Sequence, residues 1–289
     1  RYTGRFAPSP SGDLHLGSLY TAAASYLDAR AHGGRWLVRL EDLDLPRVVP
    51  GSAAGILATL EQFGFEWDGE VVFQSTRIPS YVAALEALRS RGLTFPCSCS
   101  RAQLAEDERY PGYCRAAPLV TGTPTAIRLL VEPGHVQFSD RIQGVFRQDV
   151  AAAIGDVVLR RRDQLVAYLL AVVVDDAAQG ITHIVRGADL LDNTPRQIYL
   201  QRQLQLPTPS YAHVPVLVES DGRKLAKSAR SVRADGGAAV TQLVQVFELL
   251  SLSPPAELGR GSLHDAWQWA LRRWNVAAIA PRLTRSLSL

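Results

Sequence analysis

At 289 residues the chain is long enough to bury a sizeable core and to form one large domain or two modest ones. With 47% hydrophobic and 20% charged residues it is a globular and not a disordered sequence; its longest apolar run, Leu165 to Val174, is too short to span a membrane. A net charge of +3 permits nucleic-acid binding without arguing for it, so a footprint rests on local clusters such as Arg160-Arg161-Arg162, which read equally well as an exposed strand end.

The first nineteen residues contain no uninterrupted apolar core, so no secretory leader is expected and the cytoplasm is the default compartment. The chain has no Met, so its numbering need not begin at the natural start.

In chain order, Arg5-Phe6-Ala7-Pro8-Ser9-Pro10-Ser11-Gly12-Asp13-Leu14-His15-Leu16-Gly17-Ser18 reads as a short strand, a Pro/Ser/Gly loop and the first turn of a helix. Such a loop at a helix N-terminus is an anion site, because unpaired backbone N–H groups and the helix dipole both favour phosphate. Gly12 and Gly17 allow a close backbone approach, and His15 adds a donor. Leu16 to Ala31 has helical spacing and stops at Gly33-Gly34. Arg35 to Leu40 alternates as a strand and is closed by Glu41-Asp42-Leu43-Asp44. Gly51 to Phe63 and Ser80 to Ser90 read as helices, and the alternation predicts an α/β fold with a largely parallel sheet. In such folds Pro8 to Gly12 and Glu41 fall at the carboxyl ends of strands, where ligands bind.

From Pro96 to Pro124 the chain turns short, loop-rich and cysteine-bearing, and reads as an insertion. All three cysteines lie there, Cys97, Cys99 and Cys114, a clustering that suggests a metal before a disulfide. Zinc takes four ligands, so one place is left open; three reduced thiols without a metal is the other reading. Val157 to Val174 is strongly apolar, and periodicity does not separate strand from helix there. Ile181 to Leu191 reads as a strand and loop bearing Arg186 and Asp189. Thr194 to Leu204 reads as a helix capped by Thr194 with Pro195 at its first position. Lys224-Leu225-Ala226-Lys227-Ser228 is a loop whose two lysines suit charge stabilisation on a transferring phosphate, unless it is simply a solvated basic loop. Val240 to Leu252 and His264 to Trp274 read as a helical tail.

The order of His-Leu-Gly-Ser near the start and Lys-Leu-Ala-Lys-Ser far downstream resembles the two ATP-binding motifs of class I aminoacyl-tRNA synthetases. Arg-Phe-Ala-Pro-Ser-Pro-Ser-Gly and Arg-Leu-Glu-Asp-Leu-Asp are similar to the glutamyl branch, over Thr3 to Leu250. Ser18 and Ala226 are the departures, the first usual in that branch and the second removing one hydroxyl. Little chain follows Ser228, and this shortened form resembles the glutamyl-queuosine tRNA(Asp) synthetases.

That resemblance implies a Rossmann-like class I catalytic domain in two parts, residues 1–95 and 125–235, with a zinc-binding insertion at 96–124 and a helical tail at 236–289 in place of an anticodon-binding domain. It implies tRNA-independent activation of L-glutamate with ATP and Mg²⁺, then transfer of glutamate to queuosine at the wobble position of tRNA(Asp). Arg5 and Arg186 would hold the carboxylates, with Ser9 and Tyr168 as hydrogen-bond partners and Glu41 accepting the α-ammonium. Arg5 and Glu41 read alternatively as a buried ion pair of their own, and Tyr168 as core. Pro8, Gly12, His15, Gly17, Ser18 and Lys227 would bind ATP, and His15, Lys224 and Lys227 would stabilise the reacting phosphate. Tyr110 would complete one zinc site with Cys97, Cys99 and Cys114, with Tyr113 as a rival ligand. No obligatory protein partner is expected. The alternatives are a minimal synthetase charging an acceptor end, another small-molecule adenylating enzyme, and a non-catalytic paralogue that binds tRNA or amino acid.

Overall fold

Parallel strands need a crossover between them, and the first ninety residues supply helices for it. In the computed structural model, which describes residues 1–100, 102–104, 109–116, 122, 124–219 and 238–286, β1 (Thr3–Phe6), α1 (Leu16–Ala31), β2 (Arg35–Leu40), α2 (Ser52–Gln62), β3 (Val72–Phe73) and α3 (Ile78–Ser90) follow in order. Their strands pair in parallel as β1-β2-β3. Next come β4 (Thr94–Cys97), β5 (Ala126–Leu129), the hairpin β6 (His135–Asp140) and β7 (Gly144–Asp149), the short α4 (Val150–Ala153) and β8 (Val157–Arg160). β4, β5 and β8 form a separate antiparallel sheet.

The second parallel group follows with α5 (Tyr168–Ala178), β9 (His183–Gly187), α6 (Thr194–Gln203) and β10 (Ser210–Val214). Its strand order is β7-β6-β10-β9, with β6, β10 and β9 parallel and β7 antiparallel at the edge. The two groups meet where β9 lies beside β1: Thr182 N–H donates to Thr3 O, and Thr3 N–H to the Thr182 hydroxyl, both at 2.9 Å. The carboxyl ends of β1, β2, β9 and β10 therefore bring the 7–15 loop, Glu41, Arg186 and His213 to one edge.

Past that edge, β11 (Val216–Val218) pairs in parallel with β12 (Thr284–Ser286), and α7 (Ala238–Leu249) and α8 (Leu263–Leu271) pack with α1 in one core. Ala22, Ala23 and Ala24 keep α1 slim enough to be buried on almost every side. Trp267 Nε1–H donates to Phe63 O, tying α8 to the end of α2. A second core joins α3, α5 and α6 with β5 and β8.

Several expectations hold: α1 and β2 have the expected bounds, and α2 and α7 lie inside or within two residues of theirs. The helix expected from Ser80 begins at Ile78, because Pro79 suits a first turn. The apolar run 157–174 is a strand, a turn and a helix. Thr194 is not the cap of α6: Asn193 is, without a side-chain cap bond, and the Thr194 hydroxyl instead accepts from Arg186 at 2.8 Å. A buried cation competes for that oxygen more strongly than a backbone N–H does.

After α1 the chain reverses so tightly that Gly34 sits against Tyr2. A Cβ built there would lie 2.7 Å from both the Cβ and the carbonyl oxygen of Tyr2. Gly34→Ala is expected to cost about 1–3 kcal/mol by overpacking; a urea midpoint equal to that of the parent chain would disprove the crowding.

Candidate active site

The loop between β1 and α1 is held open by specific bonds. Glu41 N–H donates to Pro8 O and Val49 N–H to Pro10 O, both at 3.0 Å. The Ser52 hydroxyl, at the start of α2, donates to Gly12 O at 2.7 Å and accepts from Gly12 N–H at 3.1 Å. Gly12 has φ +135°, a conformation that disfavours a side chain. His15 caps α1, its Nδ1 accepting from Ser18 N–H at 3.3 Å. That bond needs an unprotonated Nδ1, which leaves the proton of the neutral ring on Nε2.

Two cavities flank this loop. One, of about 500 Å³, is lined by Pro8, Gly12, His15, Gly17 and Ser18 and on its far side by Gly187 and Asp189. The other, of about 600 Å³, is lined by Glu41, Asp44, Gln74, Arg161 and Tyr168. Ser9 and Ser11 line both, so the cavities adjoin across the loop. The residues expected to bind ATP thus gather in one cavity, except Lys227, and three of the five expected to bind glutamate in the other. Lys224 and Lys227 lie outside the described residues.

The remaining two, Arg5 and Arg186, are each 4% exposed and line neither cavity. Arg5 donates through Nε and Nη2 to Asp176 at 3.1 and 3.4 Å. Asp176 also takes Arg39 Nη1 at 2.8 Å, and Arg39 Nη2 lies 3.5 Å from Glu41. Asp175, its neighbour on α5, accepts from Gln74 Nε2 at 2.9 Å, from the Tyr81 hydroxyl at 2.7 Å and from Arg77. Arg5 and Glu41 are thus each ion-paired, with Asp176 and with Arg39 and not with one another, and of the two only Glu41 faces the cavity. Burial pushes the Glu41 carboxyl above its usual range, against the pull of Arg39 and Arg5.

Tyr168, 39% exposed, is cavity wall and not core. Burial raises its hydroxyl's pKa; the charge of Glu41 adds to this while Arg186 and Arg5 oppose it, so all four groups converge electrostatically. Sequence reasoning missed Arg39, Asp175, Asp176 and His213. The two aspartates closing an apolar helix were the available signal, since carboxylates are almost never fully buried without partners.

Away from the cavities, the Sγ atoms of Cys97, Cys99 and Cys114 all lie within 4.8 Å of one another. The Tyr110 hydroxyl sits 3.5 Å from Cys97 Sγ and accepts from Cys114 N–H at 2.9 Å. Tyr113 is 58% exposed. Burial opposes ionisation of Cys114, yet the Ser98 backbone and neighbouring Cys99, Tyr110 and Cys97 hold it down at about 7. Burial, with Cys114 and Cys97 beside it, pushes Cys99 up to about 12. Arg128 lies over the Tyr110 ring, 3.8 Å from its centroid. The three thiols stand close enough together to hold one metal ion, and the Tyr110 hydroxyl lies beside them.

The family profile for the catalytic domain of class I tRNA synthetases (E and Q) matches residues 2–238. The chain belongs to that family. A glutamyl-Q tRNA(Asp) synthetase of Pseudomonas paraeruginosa (strain DSM 24068 / PA7) is 53% identical over 98% of this chain and 97% of its own. One from Aromatoleum aromaticum (strain DSM 19018 / LMG 30748 / EbN1) is 48% identical over 98% and 91%. Within the class I family the chain therefore groups with the glutamyl-Q tRNA(Asp) synthetases. The crystal structure of a glutamate tRNA ligase from Elizabethkingia meningosepticum shares the fold, with a TM-score of 0.81 at 23% identity, covering 99% of this chain and 67% of that one.

For this synthetase chain the buried carboxylates set an acid limit. Burial raises the Asp176 pKa, but Arg5 and Arg39 outweigh it and hold the carboxyl below its usual range. A depressed folded pKa gives stability that is complete above the unfolded value of about 3.9 and is lost as pH falls through the folded value. Asp176→Ala is expected to cost about 3–5 kcal/mol, because two buried guanidinium groups lose a partner. It should also flatten the acid limb of a stability-against-pH curve; an unchanged limb would show that Asp176 does not set it.

Proposed function

We propose that this chain is an ATP-dependent ligase that activates L-glutamate and transfers it to queuosine at the wobble position of tRNA(Asp). The observation that carries the reading is the adjoining pair of cavities: a glycine loop and helix N-terminus line one, and a carboxylate, a tyrosine and nearby arginines serve the other. The names of relatives about half identical over nearly the whole chain support the substrate pair and the tRNA.

In this reading Glu41 takes the α-ammonium of glutamate, Arg5 and Arg186 attract its carboxylates, and Ser9 and Tyr168 hydrogen-bond to it. A carboxylate oxygen attacks the α-phosphorus of ATP, the bond to the β-phosphate bridge breaks, and pyrophosphate leaves with its Mg²⁺. His15, Lys224 and Lys227 stabilise the added charge, and the N-terminus of α1 contributes its dipole. A hydroxyl of the cyclopentenediol then attacks the acyl carbon, losing its proton as AMP leaves. No covalent enzyme intermediate is required; positioning across the shared Ser9–Ser11 wall brings the two reactants together.

The same reading makes residues 96–124 a zinc-binding insertion between the two parts of the catalytic domain, residues 1–95 and 125–235, with residues 236–289 as a tail. Pairing of β4 with β5, on either side of the cysteine loop, supports it. Cys97, Cys99, Cys114 and Tyr110 would hold the ion, which supplies a structural cross-link. Among the described residues no helix is long and apolar enough to cross a membrane, and the substrates are those of the cytoplasm.

Glutamate-dependent ATP–pyrophosphate exchange without tRNA is expected, followed by transfer of labelled glutamate only to tRNA(Asp) that carries queuosine. Transfer to an acceptor terminus would replace this reading with a minimal synthetase, and absence of exchange with any amino acid would leave a binding paralogue. Lys227→Ala should lower the exchange rate by about two orders of magnitude or more while sparing glutamate binding. For the metal, elemental analysis should find one zinc per chain, and Cys99→Ser should reduce it; three titratable thiols and no zinc in the parent chain would refute the site.

A further inference from the structure

Arg5 and Arg186 are buried alike but neutralised differently. Arg5 is paired directly with Asp176. Among the described residues no carboxylate pairs with Arg186. Its Nε–H donates to His213 Nε2 at 3.0 Å and its Nη2 to the Thr194 hydroxyl at 2.8 Å and to Leu190 O at 3.4 Å. Its Nη1 is buried and makes no hydrogen bond among the described residues. A buried charge without a carboxylate, and with an orphaned donor, is costly unless a ligand completes it.

The carboxylate that would neutralise it stands one residue further away. His213 is fully buried, and its Nδ1 lies 2.6 Å from Asp140 Oδ2. Asp140 Oδ1 accepts the backbone N–H groups of Ile142, Gln143 and His213 at 3.0, 2.8 and 3.1 Å, so the carboxylate has a single orientation. An acceptor at Asp140 puts the ring proton on Nδ1 and leaves a lone pair on Nε2, where the Arg186 Nε–H points.

We infer that Asp140 and His213 are positioning residues for Arg186: the imidazole is a neutral spacer that fixes the tautomer and the guanidinium plane while keeping the Nη1 edge unneutralised for a carboxylate of the substrate. Burial lowers the His213 pKa; Asp140 opposes this and Arg186 reinforces it, which keeps the ring neutral. A carboxylate paired directly at Nη1 of Arg186 would occupy the edge left for the substrate. The inference rests on the reading of Arg186 as a glutamate ligand.

Asp140→Asn tests it. The amide oxygen can still accept the three backbone bonds, but its NH₂ faces Nδ1 and drives the ring proton to Nε2, against Arg186. In ATP–pyrophosphate exchange the KM for glutamate should rise about tenfold or more, with the KM for ATP within about twofold of the parent. His213→Gln, which keeps an acceptor, should retain most of the glutamate affinity, and His213→Leu should lose it. That pair reads the same quantity if Asp140→Asn does not fold. Arg186→Lys is the control. If it raises the glutamate KM while Asp140→Asn and His213→Leu do not, the spacer role is overturned and the glutamate reading stands. If Arg186→Lys leaves that KM unchanged, both fall.

Discussion

Two neighbouring carboxylates on α5 hold the Glu41 side of the site together. Successive residues on a helix point about 100° apart, so Asp175 and Asp176 reach different partners from one turn. Asp176 joins Arg5 of β1 to Arg39 of β2, and Asp175 gathers Gln74 and Arg77 from the segment leading into α3 and Tyr81 from α3 itself. The carboxyl ends of the first two strands are therefore locked to a helix of the other half. Glu41 and the 7–15 loop inherit their positions from that lock. Exchanging such a cluster for apolar residues could preserve stability, but removing one member leaves buried charge behind.

The same electrostatic logic separates structural from receptive groups. Arg39, fully buried, is surrounded by Asp176, Asp175 and Glu41, which keep it charged despite burial. Glu41 is only loosely satisfied and lines a cavity, and Arg186 is held by neutral acceptors alone. Groups with unused hydrogen-bonding capacity thus stand apart from those whose partners are complete. In the cavity beside α1 the shaping is done by backbone geometry: the Ser52 hydroxyl grips Gly12 at both its N–H and its carbonyl, and the His15 cap shapes the first turn of α1.

The cysteine loop depends on a different constraint. Gly155 lets the backbone of Tyr110 approach so closely that a Cβ would lie 2.1 Å from Tyr110 O. Tyr110 N–H donates to Ile154 O at 2.9 Å, and Arg115 grips Asp156 through two bonds of 2.7 Å. These contacts present the Tyr110 hydroxyl to the thiols before any metal is considered.

By itself the sequence determined the local parts. Helical spacing and the Gly33-Gly34 stop delimited α1, alternation delimited β2, the glycines marked the loop before α1, and three clustered cysteines announced a donor set. Each of those signals acts within one turn, strand or loop, where neighbouring residues dictate the backbone. The short strands β3, β4 and β5 carried too little alternation to be read, and Thr194 looked like a cap because its competitor for hydrogen bonds lies eight positions upstream. Only the tertiary structure decided which arginine has a carboxylate partner and which is held by a histidine and a hydroxyl. Arg5 meets Asp176 across 171 positions and His213 meets Asp140 across 73. A single sequence records the charges of such residues but not the folding of the sheet that brings them within a hydrogen bond of one another.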